Sequence, residues 1–187
     1  LTGPEFGRAE RDRAAGLLSR LVLRELFDFE LVQTDPNFGN YLYDAASGRI
    51  GLLDFGAANT VDAALVDCYR RMARAAMAND AAGMRDSAIA LGYIGADDPP
   101  QKVAALVELI RMSGEVLRYQ GAYDFGASDL FERVYNRGRA LFLDDAFTRF
   151  PEPATMFLHR KFIGTFMLCR RLRARIDLRE MLAEYLG

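Results

Sequence analysis

Two carboxylates and one amide are the residues of this chain best suited to chemistry on phosphate. Asp35 and Asn40 bound the stretch Asp35-Pro36-Asn37-Phe38-Gly39-Asn40, and Asp54 opens Asp54-Phe55-Gly56. Moving a phosphoryl group from a nucleotide requires magnesium to bridge the phosphate oxygens, hard oxygen ligands for that magnesium, and a group that orients the attacking hydroxyl or water. Side chains of Asp and Asn provide such oxygens. In this arrangement Asp54 binds magnesium directly, Asn40 offers an amide oxygen to a second magnesium, and Asp35 is the base or orienting carboxylate. Gly56 lets the backbone bend sharply just after the metal ligand.

These residues must be brought together by the elements around them. Asn40-Tyr41-Leu42-Tyr43 and Arg49-Ile50-Gly51-Leu52-Leu53 are short extended runs separated by Asp44-Ala45-Ala46-Ser47-Gly48, whose small and polar residues make a turn. The resulting hairpin sets the residue before its first strand, Asn40, beside the residue after its second, Asp54. An Asp followed five positions on by Asn, then a hairpin, then Asp-Phe-Gly, is the pattern of a kinase catalytic loop and metal-binding loop. Each piece alone is weak, because Asp-Phe-Gly recurs at Asp124-Phe125-Gly126. No strand is read before that second copy, so it is expected to be an ordinary turn between helices.

Apart from the hairpin the chain reads as helices. Leu17, Leu18, Leu21, Val22, Glu25, Leu26 and Phe29 recur at three and four residues, which predicts a helix from Arg8 to Phe29 that delivers the chain to Asp35. Further helices are expected at about 63–78 and 81–91, at 100–119 after Pro99-Pro100, at about 129–142 after Ser128, and at 153–175 after Pro153. A short last helix follows Asp177, with N-cap residues setting most starts. Breaks fall at 92–100, 121–126 and 150–153. The fold class is therefore mainly α, a helical bundle with one short β-hairpin beside the catalytic loop. Leu1 to Gly7 reads as a linker or appended segment outside the fold, and 8–187 as one domain.

The chain has 187 residues and 51% hydrophobic content, enough for one core. With 24 basic against 26 acidic residues it carries a formal charge of −2, which argues against a dedicated nucleic-acid binder. Two cysteines and one histidine suggest neither a disulfide framework nor a zinc cluster, and both thiols are expected to be buried. No apolar run approaches the roughly 20 residues that span a bilayer. His159 lies in the helical stripe Leu158, Phe162, Thr165, Cys169 and Leu172, which favours a structural histidine over a catalytic one. Arg160, Lys161, Arg170, Arg171, Arg173 and Arg175 concentrate positive charge on the last long helix; the ordinary reading is a solvated face with salt bridges, and the sharper one is contact with anionic lipid.

Gln33-Thr34-Asp35-Pro36-Asn37, standing where an ordinary kinase has His-Arg-Asp, with Leu52-Leu53-Asp54-Phe55-Gly56-Ala57, resembles the UbiB family of atypical kinase-like proteins, also called aarF-domain kinases. The likeness extends through Leu23-Arg24-Glu25-Leu26-Phe27 upstream and, downstream, through Tyr123-Asp124-Phe125-Gly126 and Leu158-His159-Arg160-Lys161-Phe162-Ile163-Gly164 with Leu168-Cys169, covering roughly Arg8 to Leu186. The resemblance implies a protein-kinase-like C-terminal lobe with Asp35 catalytic and Asn40, Asp54 and Gly56 at the magnesium and ATP site. It implies an ATPase or kinase linked to ubiquinone or other isoprenoid lipids, cytoplasmic or peripheral to the inner membrane, with a membrane surface or isoprenoid lipid as partner. Only 34 residues precede Asp35, so the N-lobe elements of the family, its Lys-x-Gly-Gln segment and its Lys–Glu pair, are expected either on an upstream region of a longer protein or lost in a naturally truncated homologue, and this chain alone is expected to be inactive. The other class of function is a non-catalytic kinase-like lobe serving as a binding or scaffold module.

Overall fold

Helix α1, Arg8–Phe27, begins where the Gly7 amide donates to the Glu10 carboxylate at 3.1 Å. It buries Ala14, Ala15, Leu18, Val22, Leu23 and Leu26 along one face. The helix stops two residues earlier than its apolar spacing suggests. Asp28 and Phe29 both donate backbone N–H to the Arg24 carbonyl, and Glu30 then adopts a left-handed φ of 50° that turns the chain out into an extended segment. The computed structural model describes the chain apart from Thr2, Pro4, Glu5, Pro36 and residues 144–150, so Pro36 of the motif and Phe150 of an expected break lie outside the described residues.

That extended segment is β1, Leu31–Gln33, and it pairs antiparallel with β4, Ala58–Thr60, in the register Val32↔Asn59. Nested between them is the expected hairpin, β2 at Tyr41–Asp44 and β3 at Arg49–Leu52, with Tyr41 opposite Leu52 and Asp44 opposite Arg49. Its turn closes by a Gly48 N–H to Asp44 carbonyl bond of 2.7 Å. Gly48 sits at φ 65°, where a side chain is strained, and an added Cβ would also lie 2.7 Å from the Arg13 guanidinium carbon. The hairpin alternates cleanly: Tyr41, Tyr43, Ile50 and Leu52 are partly buried while Leu42 and Gly51 face out.

The helices after the hairpin follow their capping residues. Asp62 caps α2 (Ala63–Ala78), which ends on Asn79 in the left-handed region, and Asp80 at once caps α3 (Ala81–Ala90). The helix expected over 100–119 is broken into α4 (Pro100–Ser113) and α5 (Glu115–Arg118). Gly114 lies at the break, where a Cβ would come within 3.0 Å of the Ala76 side chain. Helix α6 spans Leu130–Leu143, α7 Pro153–Arg171, and α8 Leu178–Ala183 after an Asp177 cap. The last long helix therefore ends four residues before the expected Arg175. The chain turns at Arg173, φ 51°, into a two-residue strand β6 (Arg175–Ile176) that pairs with β5 (Tyr123–Asp124).

The fold is mainly α, as the sequence indicated, with three two-stranded pairs rather than one among the described residues. Helix α1 packs on α7 and along the hairpin. One core cluster gathers Ala14, Val116, Phe125, Leu130, Cys169 and Ile176, and a second gathers Leu26, Val32, Tyr69, Leu91 and Leu158. Near the N-terminus, in the segment read as lying outside the fold, Phe6 packs edge-on to Tyr43 with ring centroids 6.2 Å apart. No described helix is long and apolar enough to cross a membrane.

Candidate functional site

Gln33 leaves β1 buried, and its side-chain amide has the decisive position. Its Nε2 donates to the Asp54 carbonyl at 2.7 Å, and its Oε1 accepts the Asp35 backbone N–H at 2.9 Å. One amide thus bridges the two loops. Thr34 adds a second tie, its backbone N–H and Oγ1 both donating to the Ala57 carbonyl at 3.0 and 2.9 Å, with Asn59 Nδ2 reaching the same oxygen. These bonds explain the β1–β4 pairing: the chain leaving Asp54-Phe55-Gly56 is stitched to the chain entering Asp35.

Asn37 accepts the Gly39 N–H at 3.0 Å and starts a single 3-10 turn, Phe38–Asn40. That turn aims Asn40 back at Asp35, whose Oδ2 accepts from Asn40 Nδ2 at 3.0 Å. The Asn40 carbonyl accepts the Leu53 N–H at 2.9 Å, so the hairpin sets Asn40 against the residue before Asp54. The expected trio is therefore drawn to one end of the hairpin. Asp54 Oδ1 accepts the Gly56 N–H at 2.7 Å.

Gly56 has a different role from the one expected. Its φ is not positive, so no unusual bend requires glycine there; instead a Cβ would sit 3.1 Å from Asp54 Oδ1 and press on the carboxylate. Gly56 thus leaves room for the Asp54 carboxylate within a turn that the Ala58 N–H closes on the Phe55 carbonyl at 3.0 Å.

The donor set fits a hard cation. With Nδ2 engaged on Asp35, the Asn40 amide presents its oxygen as the remaining acceptor, and Asp54 retains Oδ2 beside the bonded Oδ1. Among the described residues no group of three or more His, Cys, Asp and Glu side chains could hold a metal unaided. Magnesium is commonly held by one or two carboxylates completed by substrate phosphates, and that is the arrangement these groups suit. Around them the hairpin leaves Leu42, Leu53 and Phe55 exposed, an apolar face next to a polar site.

The sequence reading missed what anchors this loop from behind. Lys161 of α7 is only 1% exposed, not part of a solvated or lipid-facing stripe. Its Nζ lies 2.8 Å from Glu25 Oε2, a charge contact rather than a well-angled hydrogen bond, and donates to Tyr41 Oη at 3.3 Å. Glu25, itself 6% exposed, also lies against the Gln33 backbone, without a well-angled bond to it. Burial pushes the Glu25 carboxyl above its ordinary range, and the Lys161 and Gln33 contacts oppose that shift. A chain of contacts thus runs from Lys161 through Glu25 to Gln33 and the two loops. A legible signal existed: Lys161 stands three residues after Leu158, in register with the buried stripe of α7.

The other cations do not share one face. Arg170 pairs with Glu132, Arg175 pairs with Asp124 at 2.7 Å, and Arg173 and Arg175 lie beyond α7. His159 is structural as expected: it stacks on Tyr93 with centroids 5.3 Å apart and bonds the Tyr93 hydroxyl, and burial lowers its pKa below the usual 6.5. Cys169 is buried, which pushes its thiol up to about 11, but Cys68 is only half-buried, contrary to the expectation for both.

The second Asp-Phe-Gly is also more than a turn. Asp124 belongs to β5, and Phe125 is 1% exposed in the core. A strand does precede it, two residues long and formed only through its partner across the molecule.

The ABC1 atypical kinase-like domain family matches residues 7–88, which contain every residue of the site. Over 174 residues the chain is 36% identical to the mitochondrial atypical kinase COQ8B of Rattus norvegicus, covering 93% of this chain and 33% of that protein. It is 32% identical over 184 residues to the mitochondrial atypical kinase COQ8 of Saccharomyces cerevisiae, covering 97% of this chain and 36% of the relative. The COQ8 of Schizosaccharomyces pombe is 29% identical over 184 residues, 30% of its length. The chain spans about a third of the length of these curated relatives. These matches make the chain a fragment of a UbiB-type, or ABC1, atypical kinase-like protein with a mainly α, kinase-like fold.

Proposed function

We propose that this chain supplies the metal-facing and catalytic lobe of an ATP-binding atypical kinase or ATPase of the UbiB type, acting in ubiquinone or other isoprenoid-lipid metabolism. The observation that carries the reading is the bridge at the site: Asn40 Nδ2 on the Asp35 carboxylate, with the Gln33 amide joining the Asp35 N–H to the Asp54 carbonyl. Residues of two separate loops are fixed relative to one another before any ligand arrives, which is what phosphoryl transfer asks of a protein.

Asp54 and Asn40 would hold magnesium, which supplies neutralisation of the charge on the transferred phosphoryl group. Asp35 orients the attacking hydroxyl or water and takes its proton on a carboxylate oxygen, while Asn40 keeps that carboxylate from rotating away. The exposed Leu42, Leu53 and Phe55 form the surface against which an N-lobe or upstream domain closes over the nucleotide, excluding water from the site. The relatives' names place them in mitochondria, which supports a mitochondrial or related setting for this lobe.

The test is ATP hydrolysis by the longer protein that contains this chain. Asp54→Asn is expected to lower turnover with a raised magnesium requirement, and Asp35→Asn to lower the maximal rate at unchanged nucleotide affinity. Turnover at the unsubstituted rate in both variants removes the assigned roles and leaves a scaffold lobe. This chain by itself should bind magnesium ATP weakly, because the adenine and outer phosphates lack their contacts; micromolar affinity, about −8 kcal/mol, in a calorimetric titration is the contrary result.

A further inference from the structure

A sizeable apolar space among the helices lies away from the polar site. A cavity of ≈ 370 Å³ lies among α1, α2, α4, α5, α6, α7 and α8. Native interiors are close-packed, with few voids larger than a water molecule. This volume falls within the range of small-molecule pockets and is more than twice the roughly 150 Å³ that accommodates benzene in an engineered apolar cavity.

Its walls are mostly aliphatic and aromatic side chains, and of the hydroxyls they contain all but that of Tyr69 are engaged. Ser19 Oγ contacts Cys169 Sγ at 3.6 Å, Ser113 Oγ donates to the Leu109 carbonyl, and Thr165 Oγ1 donates to the Lys161 carbonyl, both at 2.9 Å. The Tyr69 hydroxyl lies toward Tyr93 and Thr155, without a well-angled bond to either. Water needs two to four polar partners to stay in such a space and would find almost none. A peptide segment would carry backbone N–H and C=O groups into a place with nothing to satisfy them. A hydrocarbon chain carries no such groups.

Two lining residues are exposed, Ser113 of α4 and Ile163 of α7 at 54%, and the opening beside Ile163 is the apolar one. Along the same helix Met156 and Phe157 are exposed and apolar, and Arg160 is exposed one turn before Ile163. Met156, Arg160 and Ile163 are spaced four and three apart, so they share a face. The mouth therefore combines an apolar rim with a cation within about 5 Å of it along the helix axis.

We propose that this cavity binds one hydrocarbon chain of an anionic amphiphile, with the chain enclosed between the helices and the charged headgroup outside, beside Arg160. The chain comes either from a monomeric long-chain carboxylate or from an anionic lipid of a membrane surface. The site is separate from Asp35, Asn40 and Asp54 and does not depend on what they do.

The probe is a fluorescent polyene fatty acid titrated into this chain, and into the longer protein that contains it, with palmitate and the alcohol of equal length as competitors. Saturable one-to-one binding displaced by both competitors is expected. Ala73→Phe, which places a ring into the cavity, should weaken binding by about tenfold or more, since losing about two buried methylenes accounts for that. If Ala73→Phe does not fold, Ile163→Glu at the exposed mouth should give the same loss in a protein whose melting is unchanged. Arg160→Glu should weaken the carboxylate but not the alcohol. A second arm supplies the chain only from vesicles of phosphatidylglycerol or of phosphatidylcholine, and extraction from the former assigns the membrane as source, whereas binding from solution alone assigns the free carboxylate. Non-saturating uptake, unaltered affinity in Ile163→Glu and in a folded Ala73→Phe, or binding by this chain but not by the longer protein overturns the proposal, the last because the protein's own residues would then fill the space.

Discussion

The chain contains Asp-Phe-Gly twice, and the two copies have opposite fates. Both make the same local turn: Asp54 Oδ1 accepts the Gly56 N–H at 2.7 Å, and Asp124 Oδ1 accepts the Gly126 N–H at 3.1 Å. Beyond the turn they diverge. Phe55 is 63% exposed, whereas Phe125 is 1% exposed and packs edge-on to Tyr123 and Phe166 with centroids 5.1 and 5.3 Å away. Asp124 is neutralised by Arg175 at 2.7 Å, which holds its carboxyl below the usual range, while Asp54 faces outward with an oxygen to offer. Gly126 is pressed from outside, since a Cβ there would meet Arg173 at 2.7 Å. One tripeptide holds a core together, and the other is held by its surroundings so that its carboxylate is available. A turn motif sets local geometry; the elements packed on it decide whether that geometry becomes structure or chemistry.

The largest effects separate the phenylalanines. Phe125→Ala should cost about 3–5 kcal/mol of folding stability, because it removes a fully enclosed ring from the core. Phe55→Ala in the same chain should stay within about 0.5 kcal/mol. Denaturant unfolding of both variants measures the contrast, and equal losses would erase it.

The buried anchor of the first loop comes next. Lys161→Met leaves Glu25 charged, enclosed and without its counter-ion, and should destabilise by roughly 3 kcal/mol. Pairing it with Glu25→Leu should recover much of that loss. A double-mutant cycle in chemical denaturation reads the coupling, and simple additivity would mean that the two charges do not depend on each other.

The aspartates then divide by chemistry. In the longer protein, Asp54→Asn should reduce ATP turnover by about 100-fold, or roughly 2.7 kcal/mol of barrier, whereas Asp124→Asn should keep turnover within about threefold and instead lower stability slightly through loss of the exposed Arg175 pair. Comparable losses of turnover in the two would sharply weaken the distinction.

The smallest effect is a pH slope. Burial lowers the His159 pKa in the folded chain, so the unfolded chain binds the proton more readily. Stability from this group is full above about pH 6.5 and declines as pH falls through that value toward the folded pKa. As the sole histidine, it should make the melting temperature drop between pH 7 and 6 in a way that His159→Gln abolishes; an unchanged slope in the variant would assign the titration elsewhere.

Much of the molecule was legible because it is written locally. Helix starts at Asp62, Asp80 and Asp177 rest on a side chain bonding an amide two or three residues away, and the hairpin rests on its own turn. The five-residue step from Asp35 to Asn40 is likewise local, since a single 3-10 turn brings the amide back to the carboxylate. What escaped the reading is carried by partners far apart in the chain. Strands of two or three residues, such as β5 and β1, have too few positions to show a period and exist only because β6 and β4 complete their hydrogen bonds. Lys161 looked like surface charge because charge is normally solvated, and only the approach of Glu25 and Tyr41 makes its burial tolerable. The two Asp-Phe-Gly turns mark the same division. Sequence alone marked each as a place where the chain bends, and tertiary packing decided that one aspartate would be tied to an arginine and the other left open, because burial and ion pairing depend on neighbours that the local chain does not contain.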